Sequence, residues 1–240
     1  MRQVAAMAQS PAIDETEVHR IARKAHALMQ SDASGAHAVL GIVSAFRGDE
    51  AATKEHFRAA LQLQAQAALW VNYSTSLTLL DDNQGALDAA REGMARHRGE
   101  AALAGRAIEA AIQSGNFGEA AELVGHYDKL GPGRPHRFAN IAVKLAKAVA
   151  CGTMSEAGAQ ALIELLTTIQ RRQGVRTLTS GVDVCEDSFL YERGVRCTPV
   201  VASSMNWSLA GALAERPGLS EALGHTLTAG FVGVADGSHA

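Results

Sequence analysis

The sequence predicts a mainly α-helical protein in which paired helices stack side by side, followed by a small C-terminal α+β domain. Three observations support this expectation. Helix and turn features recur about every 33 to 34 residues between positions 34 and 134. Alanine, the strongest helix former, is abundant, whereas aromatic residues make up only 5 % of the chain. After Gln173 and Gly174 the pattern changes to β-branched residues with strand-like alternation.

The recurrence involves the residue that opens a first helix and the turn that precedes a second helix. The opening position is occupied in turn by His37, Trp70 and Ala104. The turns fall in the same register, at Gly48-Asp49, Asp81-Asp82 and Gly115-Asn116. Inside the second helices the aligned residues are Thr53, Ala86 and Ala120. The stretch therefore reads as three copies of one helix-turn-helix unit.

A helical repeat of this period resembles the tetratricopeptide repeat (TPR) family. The resemblance covers residues 34–134 and is carried by Leu40-Gly41, Gly48-Asp49, Phe57, Ala60, the run Trp70-Val71-Asn72-Tyr73, Ala86, the run 115–121 (GNFGEAA) and Pro132. It implies a TPR-like α-α superhelix. We expect that superhelix within residues 12–173, a flexible tail over residues 1–11 and a separate α+β domain over residues 174–240.

Upstream of the repeats, a capping box is predicted at Asp14, with Glu17 three residues later. Apolar residues then recur at helical spacing, at Val18, Ile21, Ala22, Ala25 and Leu28. Terminal repeats need a covering element with one polar face. This helix is therefore expected to cap the first repeat.

The first two repeats predict helices over residues 35–46, 50–63, 66–80 and 84–96. Gly41 is expected where the first two helices cross, because a missing side chain permits close contact. Phe57 should be buried at that crossing. Trp70 could stack on a ligand or fill the core between helices, and the core is the favoured interpretation.

In the third repeat, Asn116 and Glu119 predict another capping box, and the glycines and prolines of residues 129–135 predict a loop. A closing helix pair follows, whose second helix is expected to start with a capping box of Thr153 and Glu156. This pair lacks most of the motif residues of the family, so it is predicted only as repeat-like.

The last third predicts a β-hairpin, with strands over residues 176–185 and 189–201 and a turn at Glu192-Arg193-Gly194. Pro199 should then lie at an edge or a strand end, because it cannot donate to a ladder. A helix capped by Ser203-Ser204 should follow and break at Pro217-Gly218. A shorter helix over residues 221–227 and a final strand over residues 231–234 complete the prediction.

The family resemblance implies a concave groove lined by the first helix of each pair. The positions expected to line it are Ala38, Ile42, Phe46, Val71, Asn72, Thr75, Thr78, Leu79, Glu109, Ile112 and Gln113. This lining holds no lysine or arginine, so we expect it to favour an apolar helix or extended segment over an acidic chain end. The alternative is that the N-terminal helix or the C-terminal domain of the same chain fills part of this face.

Known chemical motifs are not found in the sequence, so no catalytic residue, metal site or cofactor is predicted. Cys185 and Cys197, with His225 some distance on, leave a cysteine–histidine pair open. A buried structural thiol is the more common outcome for such residues.

A net charge of −3 gives no general attraction to nucleic acid or membranes. Only a convergence of Arg134, Arg137, Arg171, Arg172 and Arg176 would favour nucleic acid. Three widely spaced cysteines fit a reducing cytoplasm, and no apolar run approaches the length of a membrane span.

The predicted function is that of a non-enzymatic scaffold or adaptor that binds a protein or peptide. The unpaired edge of the C-terminal hairpin offers a route to a homodimer. Two alternatives are a role like that of bacterial secretion chaperones, and an enzyme or ligand-binding function in the C-terminal domain.

Overall fold

The computed structural model describes residues 15–185 and 188–234, and the predicted flexible tail and Asp14 cap lie outside them. The described chain is mainly helical, with eleven helices and a sheet of three strands near its C-terminal end. It divides into two compact units after Arg106, and each unit is described separately below. The predicted domain boundary at residues 173 and 174 stays a prediction.

The first unit contains α1 (Glu15–Leu28), α2 (Ala33–Arg47), α3 (Glu50–Leu63), α4 (Ala67–Leu79) and α5 (Asn83–Arg96). Helix α2 packs against α3, and α4 packs against α5, which are the two predicted helix pairs. The pairs also contact each other through α2 and α4, and α1 packs on α2. Helix α6 (Ala101–Ser114) begins in this unit and continues into the second.

The second unit continues with α7 (Phe117–Leu130), α8 (Ala139–Ala150), α9 (Glu156–Gln173), β1 (Thr177–Cys185), β2 (Ser188–Val195), α10 (Pro199–Ala214), α11 (Pro217–Leu223) and β3 (Leu227–Gly233). The strand order is β1-β2-β3. Strand β1 runs antiparallel to β2, while β3 runs parallel to it after a crossover through α10 and α11.

The same backbone turn closes four of the helices, at Gly48, Asp81, Gly115 and Gly152. Each of these residues has a left-handed φ, between 59° and 79°. The N–H of each left-handed residue bonds to the carbonyl of the residue three positions earlier. The N–H of the residue that follows bonds to the carbonyl of the residue five positions before that donor. This pair of bonds is the Schellman motif, in which the helix ends on a left-handed residue. The turns are 33, 34 and 37 residues apart.

Side-chain caps begin the helices that follow some of these turns. Asp49 accepts a hydrogen bond from Ala52 N, and Asp82 accepts one from Gly85 N. Asn116 precedes α7 as predicted, but its side chain makes no capping hydrogen bond. The Asn116 amide donates to Ser114 Oγ instead. The predicted cap at Thr153 is also wrong, because Ser155 caps α9 and Thr153 instead donates to the carbonyl of Ala148.

The C-terminal hairpin is confirmed, but its details differ from the prediction. Residues 192–194 lie inside β2 and do not form the turn, since β1 ends at Cys185 and β2 begins at Ser188. Pro199 opens a helix instead of ending a strand. It is the first residue of α10, whose cap is Thr198 and not Ser203-Ser204. Pro217 likewise begins α11, because proline suits the first turn of a helix.

Candidate partner-binding surface

The predicted groove begins with Ala38, Ile42 and Phe46 on α2, and the structure buries all three. They form one hydrophobic cluster with Val18 and Ile21 of α1. The acidic residues that open α1, Glu15 and Glu17, lie on other faces of this amphipathic helix, where they are not buried. Helix α1 therefore occupies the face of α2 that the family resemblance assigned to a partner, as the alternative prediction allowed.

The predicted positions on α4 are more accessible. Thr75 is exposed, and the other four are half-buried, namely Val71, Asn72, Thr78 and Leu79. The hydroxyls of Thr75 and Thr78 donate to backbone carbonyls one turn earlier in the same helix. Within the described part of the chain, the amide of Asn72 makes no side-chain hydrogen bond. A half-buried amide with free donor and acceptor atoms can bond to the backbone of an added segment.

A guanidinium lies beside these α4 positions, which the sequence interpretation missed. Arg106 donates to Thr78 Oγ1 at 2.9 Å. Arg106 is not among the positions predicted to point inward, although it contacts one of them. Arg106 lies on α6, and its long side chain reaches Thr78 of α4. The electrostatics of this surface are therefore partly cationic.

The predicted positions on α6, in the second unit, are covered by the C-terminal sheet and by the segment before α8. Gln113 donates to Ser180 Oγ of β1 at 2.9 Å, and Tyr191 of β2 donates to the Gln113 carbonyl at 3.4 Å. Glu109 accepts from Arg137 at 2.7 Å. Ile112 lines the narrow crevice left between α6 and the sheet.

The predicted groove residues thus fall into three groups with different surroundings. Those of α2 and α4 lie in the first unit, where the two helices are in contact. The α2 group is covered by α1, and only the α4 group keeps an accessible face. The three α6 residues belong to the second unit, where the sheet and Arg137 contact them.

The cysteine–histidine pair left open by the sequence is not assembled in a pocket of the described residues. Cys185 ends β1 at one end of the hairpin, whereas Cys197 follows the opposite end of β2. Burial raises the pKa of the Cys197 thiol, which lowers its fraction of reactive thiolate. Neither main cleft of the second unit includes Cys185, Cys197 or His225.

The described ranges, 15–185 and 188–234, contain no group of three or more histidine, cysteine or acidic side chains placed to hold a metal ion. None of the helices in those ranges has both the length and the hydrophobicity needed to cross a bilayer. The three cysteines are free thiols, and Cys151 and Cys185 are exposed.

We compared the chain with protein-family models, curated proteins and solved structures. No protein-family model, curated protein or solved structure matches this chain. Proposals about its function therefore rest on the contacts, burial and charges of the described residues.

Proposed function

We propose that this chain is a non-enzymatic interaction protein whose helix pairs belong to a TPR-like superhelix. The observation that carries the proposal is the Schellman turn repeated at intervals of 33, 34 and 37 residues. A turn of constant geometry between helices of similar length favours equivalent helix pairs. Stacked pairs of this kind function mainly as binding surfaces for other proteins.

The binding surface we assign is the accessible face of α4, formed by Val71, Asn72, Thr75, Thr78 and Leu79. It combines apolar side chains with neutral hydrogen-bonding groups, a combination that suits an apolar helix or an extended peptide. The amide of Asn72 would bond to the backbone of that peptide. The chain holds an internal example of this pairing, since the Asn206 amide bonds to both the N–H and the carbonyl of Phe231.

Charge argues against an acidic chain end as the ligand. Arg106 is a cation at this surface, and its guanidinium is already bonded to Thr78. A carboxylate clamp needs several donors that converge on one point, and one committed guanidinium does not supply them. We expect no micromolar binding of peptides that end in acidic residues. Tight binding that weakens steeply with salt would contradict the assigned ligand class.

The direct test is selection of peptides from a displayed library on the full-length protein, followed by titration of the selected peptides. Thr75→Arg places a long charged side chain on the α4 face and should abolish binding. Ala95→Arg places the same side chain on an exposed position of α5 and is the matched control. Asn72→Ala should weaken binding about 10-fold, as expected for the loss of one or two hydrogen bonds.

Two results would reject the proposal. One is a selection that yields no binding peptide. The other is a set of peptides whose affinity is equally lowered by Thr75→Arg and Ala95→Arg, since that would show a general charge effect.

A role like that of secretion chaperones would use the same surface, but the sheet-containing second unit is an addition to such repeats. We place the protein in the cytoplasm, because exposed free thiols such as Cys151 and Cys185 persist in reducing compartments.

A further inference from the structure

Helix α10 has an unusual surface for a helix that is half exposed. Its sixteen residues include no charged side chain. One face is buried through Ala202, Met205 and Leu209, and the helix contacts α9 and β3. The opposite face exposes Val200 and Trp207, which are 78 % and 77 % accessible. Large exposed apolar side chains on an uncharged helix face are typical of an interaction site.

A cleft of about 440 Å³ lies immediately beside this face, between α9 and the C-terminal half of α10. Its apolar residues are Ala161, Leu165, Ile169 and Ala212, and Leu165 and Ile169 are buried. Ser208, the neighbour of Trp207 in sequence, also lines it. A protruding indole and a cleft of mixed polarity, with four apolar residues among its eleven lining residues, therefore lie near each other in the second unit.

The charged residues of the cleft have both signs. They are Glu164, Arg172, Glu215 and Arg216, two carboxylates and two guanidinium groups. In the ranges 15–185 and 188–234 none of the four makes a side-chain hydrogen bond or an ion pair. Two cations and two anions without partners inside the chain can form ion pairs with a surface that also carries two cations and two anions. The same cleft on a second copy of the chain is such a surface.

We propose that a second copy of this chain docks on the α10 face, with the Trp207 indole of each copy inserted into the α9–α10 cleft of the other. A twofold interface places the same patch on both sides, so it must be complementary to itself. Trp207 and the cleft supply the complementary shapes. A charged rim surrounds this contact and forms ion pairs across the twofold axis, because it carries both signs of charge. Its side chains are Glu164, Arg172, Glu215 and Arg216.

Two parts of the sheet are already bonded within the chain. Strand β2 is the central strand, so one edge of the predicted hairpin is already taken by β3. At Phe231 the outer edge of β3 is bonded to the Asn206 amide. The α10 interface uses residues of the second unit alone, and it stands independently of the partner surface proposed on α4.

The test is the mass of the full-length protein as a function of concentration, measured by sedimentation equilibrium. We expect a shift from 25.1 kDa toward twice that mass in the micromolar range. Trp207→Ala should raise the dissociation constant of the dimer about 30-fold, as for a central aromatic anchor. Val143→Ala, which removes a 51 % exposed apolar side chain of α8, is the matched control and should leave association unchanged.

A second variant blocks the cleft but keeps the indole. Ala212→Gln should weaken self-association as Trp207→Ala does. An equimolar mixture of the two variants should associate more tightly than either alone, because the heterodimer keeps one intact indole–cleft contact. Circular dichroism should show both variants folded, since Trp207 is exposed and Ala212 is half-exposed.

Fluorescence supplies an independent readout. Trp70 is buried and contributes a constant signal, so a concentration-dependent blue shift reports on Trp207. A wild-type protein that stays at 25.1 kDa throughout would overturn the proposal. So would a dimer insensitive to Trp207→Ala and Ala212→Gln, or a mixture of the two variants that associates no more tightly than either variant alone.

Discussion

At the scale of single residues, Gly41 sets how closely α2 and α3 approach. A Cβ atom at this position would lie 2.7 Å from the ring of Phe57, well inside the contact distance of two carbon atoms. Phe57 is fully buried and also stacks on Tyr73 of α4, with ring centroids 5.0 Å apart. Gly41 thus allows one aromatic side chain to join both helix pairs of the first unit.

Gly41→Ala is therefore expected to lower the free energy of unfolding by about 1–3 kcal/mol, the usual cost of overpacking a core. Gly125→Ala is the control, since Gly125 lies within α7 and no atom lies within 4 Å of a Cβ built there. That control should be neutral or stabilising by up to about 1 kcal/mol, because alanine favours the helix. Chemical denaturation measures the free energy of unfolding of both variants. Equal changes in that free energy would contradict the close approach of α2 and α3 at Gly41.

A second residue-scale feature joins the same two helices. The Nδ1 atoms of His37 and His56 lie 3.1 Å apart, with ring centroids 5.3 Å apart. The centroid spacing is close to the largest possible for this nitrogen separation, so the two nitrogens face each other along a hydrogen bond. Burial lowers the pKa of His56 below its ordinary value, and His37 lowers it further. The other nearby charges have mixed effects, since Glu55 and Asp49 favour protonation and His26 opposes it.

Because the folded state disfavours the charged form of His56, the unfolded chain binds more protons once the pH falls below about 6.5. The contribution of His56 to stability is present above that pH, and it is lost as the pH falls toward the folded-state pKa of His56. We expect denaturation curves to show lower stability at pH 5.5 than at pH 7.5. His56→Gln should flatten this dependence, and the exposed His126→Gln should not. A pH dependence that survives His56→Gln would assign it to other groups.

Some residue contacts could be predicted and others could not. Gly41 at the crossing and Trp70 in the core were both predicted, because each follows from one helix face. The burial of Arg193 was not predicted, because arginine side chains usually lie at the protein surface. Its guanidinium donates to Gln170 Oε1 and to the Ile163 carbonyl, both on α9. The register between a strand and a distant helix sets these contacts, and the local sequence around Arg193 carries no sign of them.

At the scale of elements, α1 is the helix with the largest consequence for function. Val18 and Ile21 are buried in the cluster that contains Ala38, Ile42 and Phe46. The helix is strongly amphipathic, so its apolar residues share the face that packs on α2. It therefore completes the core of the first unit at the position where a partner was expected.

Ile21→Ala should lower the free energy of unfolding by about 2–4 kcal/mol, since truncation of a buried isoleucine leaves a cavity. Leu28→Ala removes the same number of carbon atoms from the same helix, but Leu28 is 48 % exposed, so it should cost well under about 1 kcal/mol. Thermal and urea denaturation of the full-length chain measure both. If the two variants cost the same, α1 does not hold the α2 face in solution.

The elements themselves were predicted with uneven success, for a physical reason. Helices α3 and α5 begin within one residue of their predicted starts, because their turns carry local caps at Asp49 and Asp82. Strand β3 pairs in parallel with β2, which lies more than thirty residues earlier in the chain. That pairing depends on the crossover through α10 and α11. Local alternation therefore indicated a strand near residue 231 but not its partner.

At the scale of the whole molecule, the candidate site was only partly predictable. The family geometry selected the inward positions of α2, α4 and α6, but it cannot say what else packs on them. Helix α1 covers the α2 positions, and the sheet contacts those of α6. These coverings are made by segments outside the repeat pattern, and their docking depends on long-range packing. Only the α4 face is left for the proposed partner.

The overall charge of the protein argues against binding to nucleic acid. The net charge is −3 with neutral histidines, and Arg137, one of the five arginines of the basic clusters, is already bonded to Glu109. Attraction to a polyanion needs several free cations on one face, because affinity grows with each phosphate neutralised. At pH 7.5 and physiological salt we expect the full-length protein to bind a labelled DNA duplex more weakly than about 100 µM.

Fluorescence anisotropy at several salt concentrations measures this binding directly. Arg171→Ala and Arg172→Ala should leave the weak signal nearly unchanged, since both side chains are exposed in the last turn of α9, where a cation is favourable to the helix dipole. Micromolar affinity at pH 7.5, with a steep salt slope that both arginine variants reduce, would make the chain a nucleic-acid-binding protein and would displace the proposed role of the α4 face.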